Sequence, residues 1–347
     1  METLLTATSF FISLLLVVIS VPPIVRVSKA KNLFEPFDER KVHTRIVPPL
    51  GGVAIFLGFV LATIIATDGY SFDALKYIVA SVIMMFFIGL KDDLMVISAR
   101  KKFIVQIFAA VLLITMGGVQ ITNLHGIMGI YQLSYFNSVF LTLFVMLALV
   151  NAYNLIDGID GLASGLAILA ATVFGTWFFL GGHIQFAIMS FALAGSLCGF
   201  FIFNVFGHKN KLFMGDTGSL VVGLVIATLV VKFDEYNIVK TIPYAVGAAP
   251  AVAFAAVIVP LIDTLRVMVI RTLESRSPFS PDKNHVHHRL LTLVNNHLKV
   301  TVIIITANAL LVGIALWFNH LGFNINIQFL LVFFVGVLLS FIPSFIF

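Results

Sequence analysis

Long apolar stretches alternate with short polar ones along nearly the whole chain. A helix that crosses a bilayer needs about 20 mostly apolar residues. Eleven candidate spans can be drawn, near 4–25, 51–67, 74–90, 103–117, 136–151, 161–180, 184–206, 217–232, 243–270, 300–318 and 325–347. The ninth carries Pro243, Pro250 and Pro260. Proline lacks the backbone donor and crowds the preceding turn, so a kink or a break is expected there. Only Gly181, Gly182 and His183 join the sixth and seventh spans, which predicts an antiparallel helical hairpin. Residues 119–135 instead alternate apolar and polar positions around Asn123 to Gly126, the pattern of a small β-hairpin. No internal repeat is visible.

Composition turns this pattern into a class. The chain of 347 residues is 60% hydrophobic and 11% charged, against roughly 45–50% and 25% in soluble domains. Its mean hydropathy is +1.08. Too little charge is present to cover a water-exposed surface, which excludes a soluble globular enzyme. The expected fold is an all-α polytopic membrane protein of about eleven transmembrane helices, forming one domain over 1–347. Residues 4–25 do not suit a cleaved signal peptide: Glu2 stands where a basic region belongs, and no small-residue cleavage site follows. The single cysteine, Cys198, reads as a small apolar residue within a span.

The basic residues then set an orientation. The segments after the first, third, seventh and ninth spans hold 18 of the 21 Lys and Arg, leaving Lys76, Lys232 and Lys240 for the other side. The positive-inside rule makes the rich side cytoplasmic. The expected topology is N-terminus out and C-terminus in, with the hairpin on the outer face.

The acidic residues Asp92, Asp93, Asp157, Asp160, Asp216, Asp263, Glu274 and Asp282 all fall on that same cytoplasmic side. Adjacent carboxylates such as Asp92 and Asp93 repel, so one must hold a proton or a cation must bind; a solvated helix end balanced by Arg100 to Lys102 is the plainer alternative. Asn151, Asn154, Asp157 and Asp160 recur every three residues, one polar stripe if helical, and suited to a nucleotide or sugar. A polar stripe at membrane depth is costly without a ligand or a water-filled cleft. Asp216 lies in Phe213-Met-Gly-Asp-Thr-Gly-Ser219, where a helix cap explains it as well as a ligand role does. Opposite Asp92 and Asp93 it could complete a Mg²⁺ site. Asn204 ends an apolar span just upstream. His285, His287, His288 and Arg289 form a basic loop better suited to phosphate than to zinc. Arg45 precedes Pro48-Pro49-Leu-Gly51-Gly52, consistent with an anion contact at a helix start.

These motifs, in this order, resemble the polyprenyl-phosphate N-acetylhexosamine-1-phosphate transferases, the WecA- and TagO-like enzymes and, more distantly, the MraY-like ones. The resemblance covers nearly the whole chain. It implies transfer of a sugar-1-phosphate from a UDP-N-acetylhexosamine to undecaprenyl phosphate with release of UMP, the first membrane step of a cell-envelope polysaccharide pathway at the bacterial inner membrane. By resemblance, Asp216 is a Mg²⁺ ligand, with Mn²⁺ as a substitute. Asp92 and Asp93 engage the lipid phosphate or assist its attack, and join in holding the metal. Asn151, Asn154, Asp157, Asp160 and Asn204 surround the nucleotide and pyrophosphate. Phe213 stacks on uracil, Arg45 contacts the nucleotide, and His285, His287, His288 and Arg289 bind sugar and phosphate. The partners implied are the UDP-sugar, the polyprenyl lipid and the bilayer, with no nucleic acid; a homodimer is left open. The sequence Pro-Phe-Ser-Pro-Asp-Lys-Asn-His-Val-His-His-Arg at 278–289 favours UDP-GlcNAc over the UDP-muramoyl pentapeptide of the MraY-like branch. A secondary transporter would need mid-membrane carboxylates and a repeat, and a CDP-alcohol phosphotransferase would need an Asp-Gly…Ala-Arg…Gly pattern that is not present.

Overall fold

A computed structural model describes residues 1–33, 47–67, 72–242, 244–275 and 285–345, with side chains to 342. Thirteen helices and one two-stranded sheet lie among the described residues. In chain order they are α1 (Glu2–Ala30), α2 (Gly51–Ala66), α3 (Leu75–Leu94), α4 (Ala99–Thr115), β1 (Asn123–Ile127), β2 (Ile130–Gln132), α5 (Tyr135–Ile156), α6 (Leu162–Leu180), α7 (Ile184–Phe206), α8 (Gly215–Tyr236), α9 (Ala249–Ala256), α10 (Ile258–Leu273), α11 (Val286–Val294), α12 (His297–His320) and α13 (Ile325–Phe345).

Among the described residues, seven helices are long and apolar enough to cross a membrane. The pair α9 and α10 makes an eighth if taken as one broken span. The chain is a multi-pass membrane protein. Helices α3 and α4 fall short of that measure. At its end α3 carries Lys91, Asp92 and Asp93, and α4 has 17 residues.

The predicted break in the ninth span is a bend of 74° between α9 and α10. Pro260 is the third residue of α10, and its ring excludes the carbonyl four residues back, so the helix cannot run straight through Val257. The helical part begins at Ala249, later than the expected 243. Helices α6 and α7 pack against each other, as the three-residue link requires. The hairpin also forms, with Asn123 opposite Gln132 and Ile127 opposite Ile130. Its tight turn uses Met128 and Gly129, both at positive φ, as a two-residue hairpin turn demands.

Helix α8 is the axis of the molecule. Almost its whole length is buried, and it packs on α2, α3, α5 and α6. Its side chains explain this, since Gly218, Ser219, Val221, Val222, Gly223 and Ala227 let neighbours approach closely. Its first turn carries Asp216 and its last turn Asp234 and Glu235, so both ends bring acid groups into the interior.

Candidate active site

The start of α8 meets the end of α3, and this contact builds the centre of the site. Asp93 accepts hydrogen bonds from the backbone N–H groups of Asp216 (2.7 Å) and Thr217 (2.9 Å), and from the Thr217 hydroxyl (2.5 Å). Asp93 therefore caps α8 from another helix, satisfying donors that every helix start leaves unpaired. The expectation that Asp93 ligates a cation fits poorly, because both its oxygens already serve α8.

Asp92 and Asp216 are the pair left facing each other. Asp92 Oδ1 accepts from the Ile97 N–H at 2.7 Å, and its Oδ2 lies 2.5 Å from Lys102 Nζ. Lys102 also pairs with Asp216 Oδ2. One ammonium thus stands between two carboxylates from different helices, where a divalent cation would find the same oxygens. On its other side Asp216 accepts from Asn154 Nδ2 at 2.6 Å, and that amide also donates to Ser219 Oγ at 2.9 Å.

The end of α5 does not continue as one helical stripe. The helix stops at Ile156, with Asp157 as its C-cap, because Gly158 and Gly161 open a turn into α6. Asp157 and Asp160 therefore point to different surroundings. Asp157 makes no hydrogen bond with any described residue. Burial pushes its carboxyl up to about 8, and the charges of Asp216, Asp93 and Asp160 add to the rise. Asp160 pairs with Lys211 at 2.6 Å and stands 3.5 Å from His297 Nδ1.

The histidine motif folds back onto this turn. His285 is the N-cap residue of α11, and its Nδ1 lies 2.9 Å from Asp263 Oδ2. A β-carbon on Gly158 would stand 2.2 Å from His287 Nε2, so only glycine lets the ring rest there. Burial holds the His287 imidazole below its ordinary pKa. The His288 ring sits 4.3 Å from that of His287, and His288 and Arg289 are half-buried in the first turn of α11.

Known proteins are similar to this chain in sequence. The model of glycosyl transferase family 4 matches residues 75–234, the stretch that holds Asp92, Asp93, Asn154, Asp157 and Asp216. A probable undecaprenyl-phosphate N-acetylglucosaminyl 1-phosphate transferase of Bacillus subtilis is 30% identical over 86% of this chain and 80% of its own. A decaprenyl-phosphate N-acetylglucosaminephosphotransferase of Mycobacterium tuberculosis is 37% identical over 77% of this chain and 70% of its own. The undecaprenyl-phosphate alpha-N-acetylglucosaminyl 1-phosphate transferase of Escherichia coli K12 is 30% identical over 85% and 79%. The chain belongs to the WecA- and TagO-like polyprenyl-phosphate N-acetylhexosamine-1-phosphate transferases.

Within this transferase fold, several expected site residues have other work. Asn151 exchanges hydrogen bonds with Gln106 of α4 (2.9 and 3.4 Å) and donates to Leu147 O at 2.7 Å, so it clamps α4 to α5. Asn204 is buried, accepts from the Gly161 N–H at 2.6 Å and donates to Leu212 O at 2.9 Å. Its amide ties α7 to the start of α6 and leaves neither end for a nucleotide. Phe213 is half-buried, and its backbone pairs with Pro48 O and the Gly51 N–H, both at 2.9 Å. Arg45 lies outside the described residues.

The transferase site also contains residues that the sequence pattern did not single out. Lys102 counted there only as a surface charge, yet the short link 95–98 folds α4 back along α3 and delivers it to Asp92. Lys211 reaches Asp160 from the longer link 207–214. In the sequence Asp263 stands out only as one of the acidic residues on that side. No local motif marks it, because its partners lie 22 and 24 residues further along.

Proposed function

We propose that this transferase moves N-acetylglucosamine-1-phosphate from UDP-N-acetylglucosamine to undecaprenyl phosphate and releases UMP. The single observation that carries this reading is the meeting of Asp92 and Asp216 around one cation position, beside Asn154 and Asp157, in a chain whose relatives carry that activity in their names. Those names also favour the sugar transferase over the MraY-like alternative.

In the reaction proposed, an oxygen of the lipid phosphate attacks the phosphorus that bears the sugar. The bond from that phosphorus to the bridging oxygen breaks, and UMP departs with the electron pair. The substrates bring several negative charges together, so charge neutralisation dominates the barrier. A bound Mg²⁺, or Mn²⁺, would offset that charge; Asp92 and Asp216 are the ligands we assign to it. Asp93 fixes the start of α8 and so aims Asp216. Asn154 holds the other oxygen of Asp216. His288 and Arg289 face the phosphates, and His285 and His287 complete their loop. Phe213 and Arg45 contact the nucleotide. Lipid phosphate is largely ionised near neutral pH, so direct displacement needs no residue to remove a proton.

The proposed topology is eleven spans with the N-terminus outside, the C-terminus inside and the site facing the cytoplasm of a bacterial inner membrane. The distribution of Lys and Arg supports it.

The test is an assay of the purified protein with UDP-N-acetylglucosamine, undecaprenyl phosphate and Mg²⁺. UMP and a lipid-linked sugar diphosphate are expected. Absence of UMP with every UDP-N-acetylhexosamine tried would overturn the reading.

A further inference from the structure

Asp263 sits on α10 behind the histidine motif, and its surroundings are unusual for a carboxylate. It is 2% exposed, beside His285 at 5% and His287 at 0%. On one side lies an apolar cavity of about 160 Å³ lined by Ile258, Ile262, Val286, Leu290, Ile304 and Leu339. A carboxylate in such a place is tolerated only when its oxygens are hydrogen-bonded. Both are: Oδ1 accepts from the Val286 N–H at 2.8 Å, and Oδ2 faces His285 Nδ1 at 2.9 Å and His287 Nδ1 at 3.6 Å.

We infer that Asp263 is the positioning residue of the histidine motif, holding His285 with Nδ1 protonated and Nε2 free, and pinning the motif to the end of α5 through His287. The inference rests on the transferase reading above and adds to it a residue outside the span of the family model.

The argument is one of donors and acceptors. A carboxylate can only accept, so the ring nitrogen facing it must carry the hydrogen. That leaves His285 Nε2 as the open atom of the ring, and it makes no hydrogen bond with any described residue. The tautomer of a histidine is set by the bond its other nitrogen makes. The Val286 N–H bond fixes the first turn of α11 at the same time, so one carboxylate sets both the backbone entry and the ring. His287 supplies the second anchor. It is fully buried, and neither ring nitrogen finds a hydrogen-bond partner. Its Nδ1 leans towards Asp263 while its Nε2 rests on Gly158. An arrangement this costly persists where the contact itself is needed. The bend at Val257 tilts α10, the helix that carries Asp263, so that α10 packs beside α5.

The same three side chains could also collect a metal ion, since one ligand atom from each lies within 4.8 Å of the others. The hydrogen-bonded reading fits better, because both oxygens of Asp263 already face donors.

The test compares Asp263→Asn, Asp263→Glu, His285→Gln and the double variant Asp263→Asn with His285→Gln, all as full chains beside the wild type. Asparagine offers one acceptor oxygen. If the Val286 N–H keeps it, the amide NH₂ faces His285 and forces the other tautomer. In Asp263→Asn, kcat should fall on the order of 10- to 100-fold, with KM for both substrates unchanged and the thermal transition kept. Asp263→Glu should recover part of kcat. The double variant should be no slower than His285→Gln alone, because both changes act through one ring. Wild-type turnover in Asp263→Asn, or losses that multiply in the double variant, would overturn the inference while leaving the transferase reading intact. Collapse of the fold in both Asp263 variants would also overturn it, making the residue a stability element. One bound transition metal per wild-type chain, lost in Asp263→Asn, would replace it with a metal centre. If the wild type itself releases no UMP, the transferase reading fails and this inference goes with it.

Discussion

Helix α8 carries acid groups at both ends, and the two ends treat them differently. At the hairpin end, Glu235 accepts from the Thr122 N–H (2.9 Å) and the Thr122 hydroxyl (2.7 Å). Asp234 lies 3.4 Å from His125 Nε2, and Lys232 donates to Gly118 O at 2.6 Å. Glu235 and Lys232 each have their own partner on the flanks of the hairpin, while Asp234 Oδ1 is buried with no hydrogen-bond partner among the described residues. At the other end, Asp92 and Asp216 share one ammonium, and Asp157 has no hydrogen-bond donor among the described residues. Carboxylates with one partner each fasten a structure together. Carboxylates crowded around fewer donors than they need are waiting for a cation or a substrate.

The largest way to break this comparison is to neutralise one acid at each end. Asp216→Asn should abolish Mg²⁺-dependent turnover, a loss of about 10³-fold or roughly 4 kcal/mol in the barrier, with the fold intact. Glu235→Gln should leave kcat unchanged and cost about 1 kcal/mol of stability. UMP release and thermal unfolding measured on both variants decide it. Normal turnover in Asp216→Asn would refute the site assignment.

The contrast was only half legible in the sequence. Charge is so scarce in this chain that the carboxylate motifs stood out, and the hairpin and the broken ninth span followed from local pattern and proline chemistry. Pairing across helices did not. The first turn of α8 offered its own cap candidate in Asp216, yet the cap is Asp93 from α3. Asn204 and Asn151 looked like ligand residues because a polar side chain ending an apolar span suggests a site. Their partners, Gly161, Leu212 and Gln106, are brought near only by packing. Asp263 and Lys102 escaped for the same reason. Spacing along one helix is visible in a sequence, whereas the donor supplied by another helix is not.

A second test uses pH. The Asp157 carboxyl rises from 3.8 to about 8 on folding. An acid raised in this way favours the folded state fully below its unfolded value, and that advantage is lost as pH climbs through the folded value. Stability should therefore fall between about pH 4 and pH 8 in the wild type. Asp157→Asn should flatten that limb in part. Thermal midpoints recorded across this range, without added metal, would show the difference; parallel curves for wild type and Asp157→Asn would contradict the crowding argument.

Lys102 sharpens the comparison at smaller cost. Lys102→Met leaves Asp92 and Asp216 facing each other without their shared cation, so the metal-free protein should lose about 2 kcal/mol of stability. Added Mg²⁺ should raise the thermal midpoint more in Lys102→Met than in the wild type, because a ligand that binds only the folded state stabilises it. Equal shifts in the two proteins would mean that Lys102 and the metal do not compete for the same oxygens.

The smallest change of structure is a methyl group placed at each end. At the site end, Gly158→Ala puts a β-carbon 2.2 Å from His287 Nε2. The buried ring must move, and the histidine motif with it, so about 1–3 kcal/mol of stability should go together with turnover. At the hairpin end, Gly129 has a φ of 78° and open space around it. Gly129→Ala meets no neighbour and strains only its own backbone, so it should cost about 1 kcal/mol and leave kcat and both KM values as they are. The hairpin touches the site only through the length of α8, whose packed interior gives a small strain in the turn nothing to displace. A measurable drop in kcat for Gly129→Ala would mean that the two ends of α8 are mechanically coupled, and the division of labour drawn between them would fail.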